Sequence, residues 1–125
     1  MSHPELLIRQ KNQKFTEFVK NAQWHDLVTT CYATNARLSH FAIPDKVFCG
    51  REEIEQTFVQ GPMTSGYKLS LEFTTVKLGN NAYLVAGIGC VNNGQWCPFV
   101  ERWELIDGEW LIVEDKVYPP ESWMG

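Results

Sequence analysis

Three tight-turn signals divide the second half of this chain, and they constrain its fold more than any other feature. They are Gly79-Asn80-Asn81, Asn93-Gly94 and Asp107-Gly108. Asn-Gly and Asp-Gly suit two-residue hairpins, because both central positions need positive φ. From Tyr67 onward the chain therefore reads as four antiparallel strands in a meander.

A two-residue turn fixes which residues face each other across a hairpin, and facing residues share one side of the sheet. The Asp107-Gly108 turn sets Leu105 against Trp110, Trp103 against Ile112 and Glu101 against Glu114. The Asn93-Gly94 turn sets Cys90 against Cys97, Ile88 against Phe99 and Ala86 against Glu101. A turn at Asn80-Asn81 sets Phe73 against Ile88 and Leu71 against Cys90. These registers agree on one apolar face: Leu69, Leu71, Phe73, Leu84, Ala86, Ile88, Phe99, Trp103, Leu105, Trp110 and Ile112. The other face carries Glu72, Val85, Val100, Arg102, Glu104, Leu111, Val113, Asp115 and Val117. It is either a solvated outer surface with scattered valines or a homodimer contact.

The first half has helical periodicity. Phe15, Phe18, Val19 and Ala22, extended back through Ile8, mark one apolar face of a helix over residues 4–22. Trp24, Leu27, Val28 and Cys31 repeat that spacing in a second helix ended by Thr34-Asn35. A short strand follows over Ala36–Phe41, then a turn at Pro44-Asp45 and a short extended piece at Val47-Phe48. A third helix starts at Gly50-Arg51-Glu52-Glu53, where two acids complement the helix dipole, and stops at Gly61-Pro62. Helices followed by a meander give an α+β class. With 125 residues and 44% hydrophobic content, residues 1–125 form one domain around one core.

Charge narrows the function classes. A net charge of −4 with singly scattered Lys and Arg argues against a nucleic-acid partner. No apolar run approaches ~18 residues, so no membrane span is expected. The start, Met1-Ser2-His3-Pro4-Glu5, lacks a charged-then-apolar leader, and the expected location is cytoplasmic. Cys31, Cys49, Cys90 and Cys97 have no metal-ligand spacing and read as reduced, mostly buried thiols, with no metal expected.

Two acids, Glu101 and Glu114, intrude on the apolar face and oppose each other in the two-residue register. A facing pair of buried acids is a general acid/base candidate. A bulge or a rim position would instead give them to solvent, and Lys116 could neutralise them. Asp115 lies on the outer face unless a bulge precedes it. His40, near a strand end, has the charge-switching range for proton transfer, or is a hydrogen-bonded wall residue. Tyr32 points a hydroxyl into the interior or packs with that hydroxyl satisfied. Phe73, Ile88, Phe99, Trp103 and Trp110 line the apolar side, as core or as a stacking surface for a ligand.

The order of short motifs resembles a known family. Asn21-Ala22-Gln23-Trp24-His25-Asp26-Leu27-Val28 and Cys31-Tyr32-Ala33-Thr34-Asn35-Ala36-Arg37-Leu38 are similar to the opening of SnoaL-like and ketosteroid-isomerase-like proteins. Phe48-Cys49-Gly50-Arg51-Glu52-Glu53-Ile54 resembles their "x-Gly-Arg-x-x-Ile" helix start. The segment from Glu101 through Asp115 resembles their final hairpin. The resemblance covers nearly the whole chain. It implies the cone-shaped nuclear transport factor 2-like fold, with three helices on a curved, mostly antiparallel sheet enclosing a pocket, and frequent homodimers. It implies no single activity, because the superfamily includes isomerases, dehydratases, cyclases, hydrolases and non-catalytic binders.

Steroid-isomerase chemistry carries over poorly. The family's Asp base falls on His40, its oxyanion Tyr falls near Thr16 beside Phe15, and its protonated Asp matches Glu101. Two readings follow. One is a cofactor-free enzyme for a small, largely apolar carbonyl or hydroxyl compound, in which His40 moves a proton and Glu101 or Glu114 stabilises an oxyanion. The other is a non-catalytic ligand-binding or dimeric interaction domain.

Overall fold

Ser2 starts the first helix, α1 (His3–Lys20): its Oγ accepts from the Glu5 N–H, and Pro4 sits in a first turn where no donor is needed. The computed structural model describes residues 2–63, 67–91 and 95–120 and, within these, the side chains of all but 67–72, 90–91 and 95. α1 ends in a Schellman arrangement, with the Ala22 N–H donating to the Val19 carbonyl and the Gln23 N–H to that of Phe18. α2 (Trp24–Cys31) follows directly. It has no basic residue in its last turn, so neighbouring helices satisfy its end. Lys11 Nζ donates to the Thr30 carbonyl at 2.8 Å, and Arg51 donates to those of Tyr32 and Thr29 at 2.8 and 3.3 Å. The Arg of the Gly50-Arg51 motif thus locks the end of α2 to the start of α3 (Gly50–Gln60).

Between these helices lie β1 (Tyr32–His40) and β2 (Ile43–Cys49), and after them β3 (Tyr67–Gly79), β4 (Ala82–Val91), β5 (Gln95–Ile106) and β6 (Glu109–Val117). The six strands form one curved sheet in the order β2-β1-β6-β5-β4-β3. Every neighbouring pair is antiparallel except β1 and β6. Strand β1 begins four residues earlier than expected. Tyr32 pairs with Ile112 of β6, and this long-range pairing ends α2 at Cys31 rather than at Thr34-Asn35.

The last hairpin begins as the turn requires. Asp107 and Gly108 have φ of 49° and 81°, and Leu105 faces Trp110 while Trp103 faces Ile112. Between Trp103 and Arg102 the register then shifts by one residue. Arg102 faces Glu114, and Glu101 faces Asp115 instead of Glu114. The expected Asn93-Gly94 turn lies outside the described residues, but its consequence is visible. Val91 faces Gln95, so three residues separate the strands rather than two. Gly87 therefore faces Phe99, and Ile88 faces Pro98. That single-residue slip turns β4 over. Tyr83 and Val85 are buried, whereas Leu84, Ala86 and Ile88 lie on the other side. In the first hairpin Gly79 faces Ala82 across Asn80-Asn81, but an irregularity near Lys77 moves Phe73 onto Gly87, not Ile88. Leu69 and Leu71, assigned to the apolar face, have side chains outside the described set.

The observed registers align inward positions in three transverse rungs. The first runs Phe73, Gly87, Phe99, Val117, His40; the second runs Thr75, Val85, Glu101, Asp115, Leu38; the third runs Tyr83, Trp103, Ile112, Tyr32. Helix α1 tracks all three along one edge, through positions three and four apart on one helix face. Ser2 Oγ lies 3.3 Å from Tyr83 Oη, Thr75 Oγ1 donates to Glu5 Oε2 at 3.0 Å, and the Arg9 guanidinium lies 4.4 Å from the Phe73 ring centre. Over the third rung the helices supply the core: Phe15 packs against Tyr32 and Phe58, each at 6.1 Å between ring centres, and Trp24 stacks on Phe58 at 5.5 Å.

Candidate functional site on the concave face

The second rung buries two acids. Glu101 and Asp115 face each other from β5 and β6, and both are fully buried. Taking carboxylates out of water is expensive, so each needs donors. Trp103 Nε1 donates to Glu101 Oε1 at 3.0 Å, from two positions along the same strand. Tyr32 Oη donates to Asp115 Oδ2 at 2.6 Å. Burial pushes the Tyr32 phenol well above its ordinary range, and the charge of Asp115 adds to that. Tyr32 therefore keeps its proton and orients Asp115.

His40 closes the first rung at the end of β1. It is buried, and its ring stacks on Phe41 with 4.6 Å between centres. Its Nδ1 accepts from the Ala42 N–H at 3.1 Å, which assigns the proton of the neutral ring to Nε2. That Nε2 is buried and has no hydrogen-bond partner among the described residues. Burial lowers the His40 pKa, partly opposed by the charge of Asp115. His40 is thus a neutral donor at pH 7.

Of the residues singled out from sequence, His40, Glu101, Tyr32, Phe99, Trp103 and Trp110 are buried, and Phe73 is half-buried against the same core. Several expectations are corrected. Glu114 is on the outer face, bonded to Arg37 at 3.1 Å and within 3.4 Å of Lys116, because the β6 bulge substitutes Asp115 for it. Ile88 shares its face with Leu84 and Ala86, because β4 is turned over. Val85, Asp115 and Val117, placed outside from sequence, are buried. Asp115 is the functional candidate that the alternation missed: stepping by two from Trp110 and Ile112 reaches Glu114, and no residue type marks the bulge. Cys49 is exposed rather than buried, while Cys31 and Cys97 are buried.

The surface grooves formed by described residues lie elsewhere, and those lined by α1–α3 or by β1, β5 and β6 contain none of His40, Glu101 or Asp115. One of about 580 Å³, between α1, α2 and the β5–β6 hairpin, contains Lys11, Lys14 and Arg51. Lys11 is held by Glu109 at 2.8 Å as well as by the α2 carbonyl, and Arg51 is committed to the α2 end. Among the described residues no helix is long and apolar enough to cross a membrane.

No protein-family model matches this sequence, and no curated protein does. Solved structures do. A protein of unknown function with a cystatin-like fold from Nostoc punctiforme superposes with a TM-score of 0.77 at 15% identity, over 94% of this chain and 92% of that one. An NTF2-like protein of unknown function from Shewanella oneidensis gives 0.70 at 17% identity, over 93% and 99%. An NTF2-like protein with a cystatin-like fold from Novosphingobium aromaticivorans gives 0.66 at 10% identity, over 91% and 80%. Three helices packed on a curved, mostly antiparallel six-stranded sheet among the described residues, together with these superpositions, give this chain the nuclear transport factor 2-like fold.

Proposed function

We propose that this chain binds a small, largely apolar molecule on the concave face of its sheet, with a polar group of that molecule held by His40. The observation that carries this reading is the buried His40 Nε2, a donor with no acceptor among the described residues. Leaving such a donor unmet costs about 1–3 kcal/mol, which a carbonyl or hydroxyl oxygen from a ligand would recover. The first rung supplies apolar contact beside it through Val117, then Phe99, and ends at Phe73.

The same arrangement supports cofactor-free acid/base chemistry of the isomerase, dehydratase or cyclase kind. In its neutral tautomer His40 donates from Nε2 and polarises a substrate oxygen, so proton acceptance falls to the Glu101–Asp115 pair. Tyr32 is then a positioning residue that acts through Asp115. Native mass spectrometry of the purified chain tests the binding reading. A retained small molecule is expected in the unmodified protein and not in His40→Ala. Retention that is equal in both proteins removes His40 from the site.

A second reading, a homodimer through the outer sheet face, rests on Val76, which is exposed beside Leu84 on β3 and β4. Sedimentation velocity would show a dimer that Val76→Lys dissociates; a monomer at every concentration ends that reading.

A further inference from the structure

We infer that the molecule held on the concave face carries a carboxylate, and that Arg9 of α1 is the residue that recognises it. This rests on the binding reading above and adds the chemical class of the ligand.

Arg9 and His40 stand at opposite ends of the first rung, Arg9 over Phe73 at the β3 end and His40 at the β1 end. Five strands separate into four spacings, about 19 Å along the sheet and less across its concavity. Each end carries a buried N–H donor, Arg9 Nε and His40 Nε2, with no hydrogen-bond partner among the described residues. Between them the rung offers Phe73, Gly87, Phe99 and Val117, none with a side-chain acceptor. Two unmet donors flanking an apolar floor are complementary to an apolar body with acceptors at both ends.

The charges decide which acceptor goes where. Arg9 makes no ion pair among the described residues. Glu5, one turn earlier on α1, is the nearest acid along that helix, but its carboxylate is already bonded by Ser2 and Thr75, whose hydroxyls lower its pKa. Asp115 lies one rung deeper on β6, the strand next to that of His40, and Glu101 faces it from the central β5. A carboxylate is therefore repelled at the His40 end and received at the Arg9 end. There a guanidinium offers forked donors and the Phe73 face fixes its plane. The neutral oxygen of the ligand falls to His40.

Two matched probe pairs test this: 1-naphthylacetate against 1-naphthylacetamide, and octanoate against octanamide, titrated by ligand-observed NMR. The unmodified chain is expected to bind each carboxylate about tenfold tighter than its amide. Arg9→Met should remove that preference while still binding the amides, and Arg9→Lys should restore part of it. His40→Ala should leave the acid-over-amide preference intact, because neither member of a pair carries a second acceptor for that end of the rung. Should Arg9→Met fail to fold by circular dichroism, Arg9→Gln takes its place. Equal affinity for acid and amide in the unmodified chain, or a preference that survives Arg9→Met, overturns the carboxylate assignment alone. If no probe of either pair binds the unmodified chain, the concave-face binding reading fails as well.

Discussion

The two ends of the concave face are cut from the same strands, yet they treat polarity in opposite ways. At the helix-covered end the third rung presents Trp103, Ile112 and Tyr32, each fully buried, to Phe15 and Phe58. Its polar atoms are consumed internally: the Trp103 indole bonds Glu101 and the Tyr32 hydroxyl bonds Asp115. At the opposite end the first rung leaves Arg9 Nε and His40 Nε2 without partners among the described residues. One end is a closed core and the other holds donors in reserve. The difference separates polar groups spent on stability from polar groups left unsatisfied. The helix-covered end should tolerate change badly for reasons of packing, and the end with unmet donors should respond to pH.

The largest expected effect probes the closed end. Trp103→Ala should cost about 3–5 kcal/mol, from lost burial and a cavity, read as a shifted denaturation midpoint. Phe99→Ala, buried in the first rung, should also cost about 3–5 kcal/mol; a cost near zero would mean that its ring does not pack into the core. Tyr32→Phe keeps the ring but removes the donor to Asp115, and should cost about 1.5–3 kcal/mol by the same measurement. A cost near zero would mean that Asp115 does not depend on that bond.

Gly87→Ala tests how tightly the first rung is built. A Cβ there would lie 3.0 Å from both Phe73 Cβ and Phe99 Cζ, so one ring must move. A loss of about 1–3 kcal/mol is expected. An unchanged melting temperature would show that the aromatic floor has room to shift.

His40 separates the ends by pH. Its folded pKa lies below the ordinary 6.5, so above that pH both folded and unfolded chains hold a neutral ring. Below it the unfolded chain takes up a proton that the folded chain resists, and stability falls as the pH drops below the ordinary histidine range. His40→Gln should flatten that part of the stability profile. An unaltered profile would place the imidazole in water.

The smallest effect is expected outside. Glu114→Gln breaks a half-exposed bridge to Arg37 and should change stability by about 0–1 kcal/mol. A large loss would return Glu114 to the interior and undo the observed register.

Much of this fold is legible locally. The spacing of Ile8, Phe15, Phe18 and Val19 announces α1, Asp107-Gly108 announces the last hairpin, and the spacing of Trp24, Leu27, Val28 and Cys31 announces α2. His40, Glu101 and Tyr32 stand out as polar groups among apolar neighbours, and all three are buried on the concave side. The exchange of Glu114 for Asp115 and the turning over of Ile88 were not legible. Each follows from one extra residue, in the β6 bulge and between Val91 and Gln95, and that residue flips everything beyond it.

The sequence by itself determined the elements, their order and the apolar character of one sheet face, because helix caps, turn chemistry and periodicity act over a few residues. Only the tertiary structure decided which acids meet, that α1 brings Arg9 over Phe73, and that Tyr32 joins β6 rather than α2. Those outcomes depend on pairing between segments far apart in the chain, where burying a ring or satisfying a carboxylate outweighs the preference of any single residue.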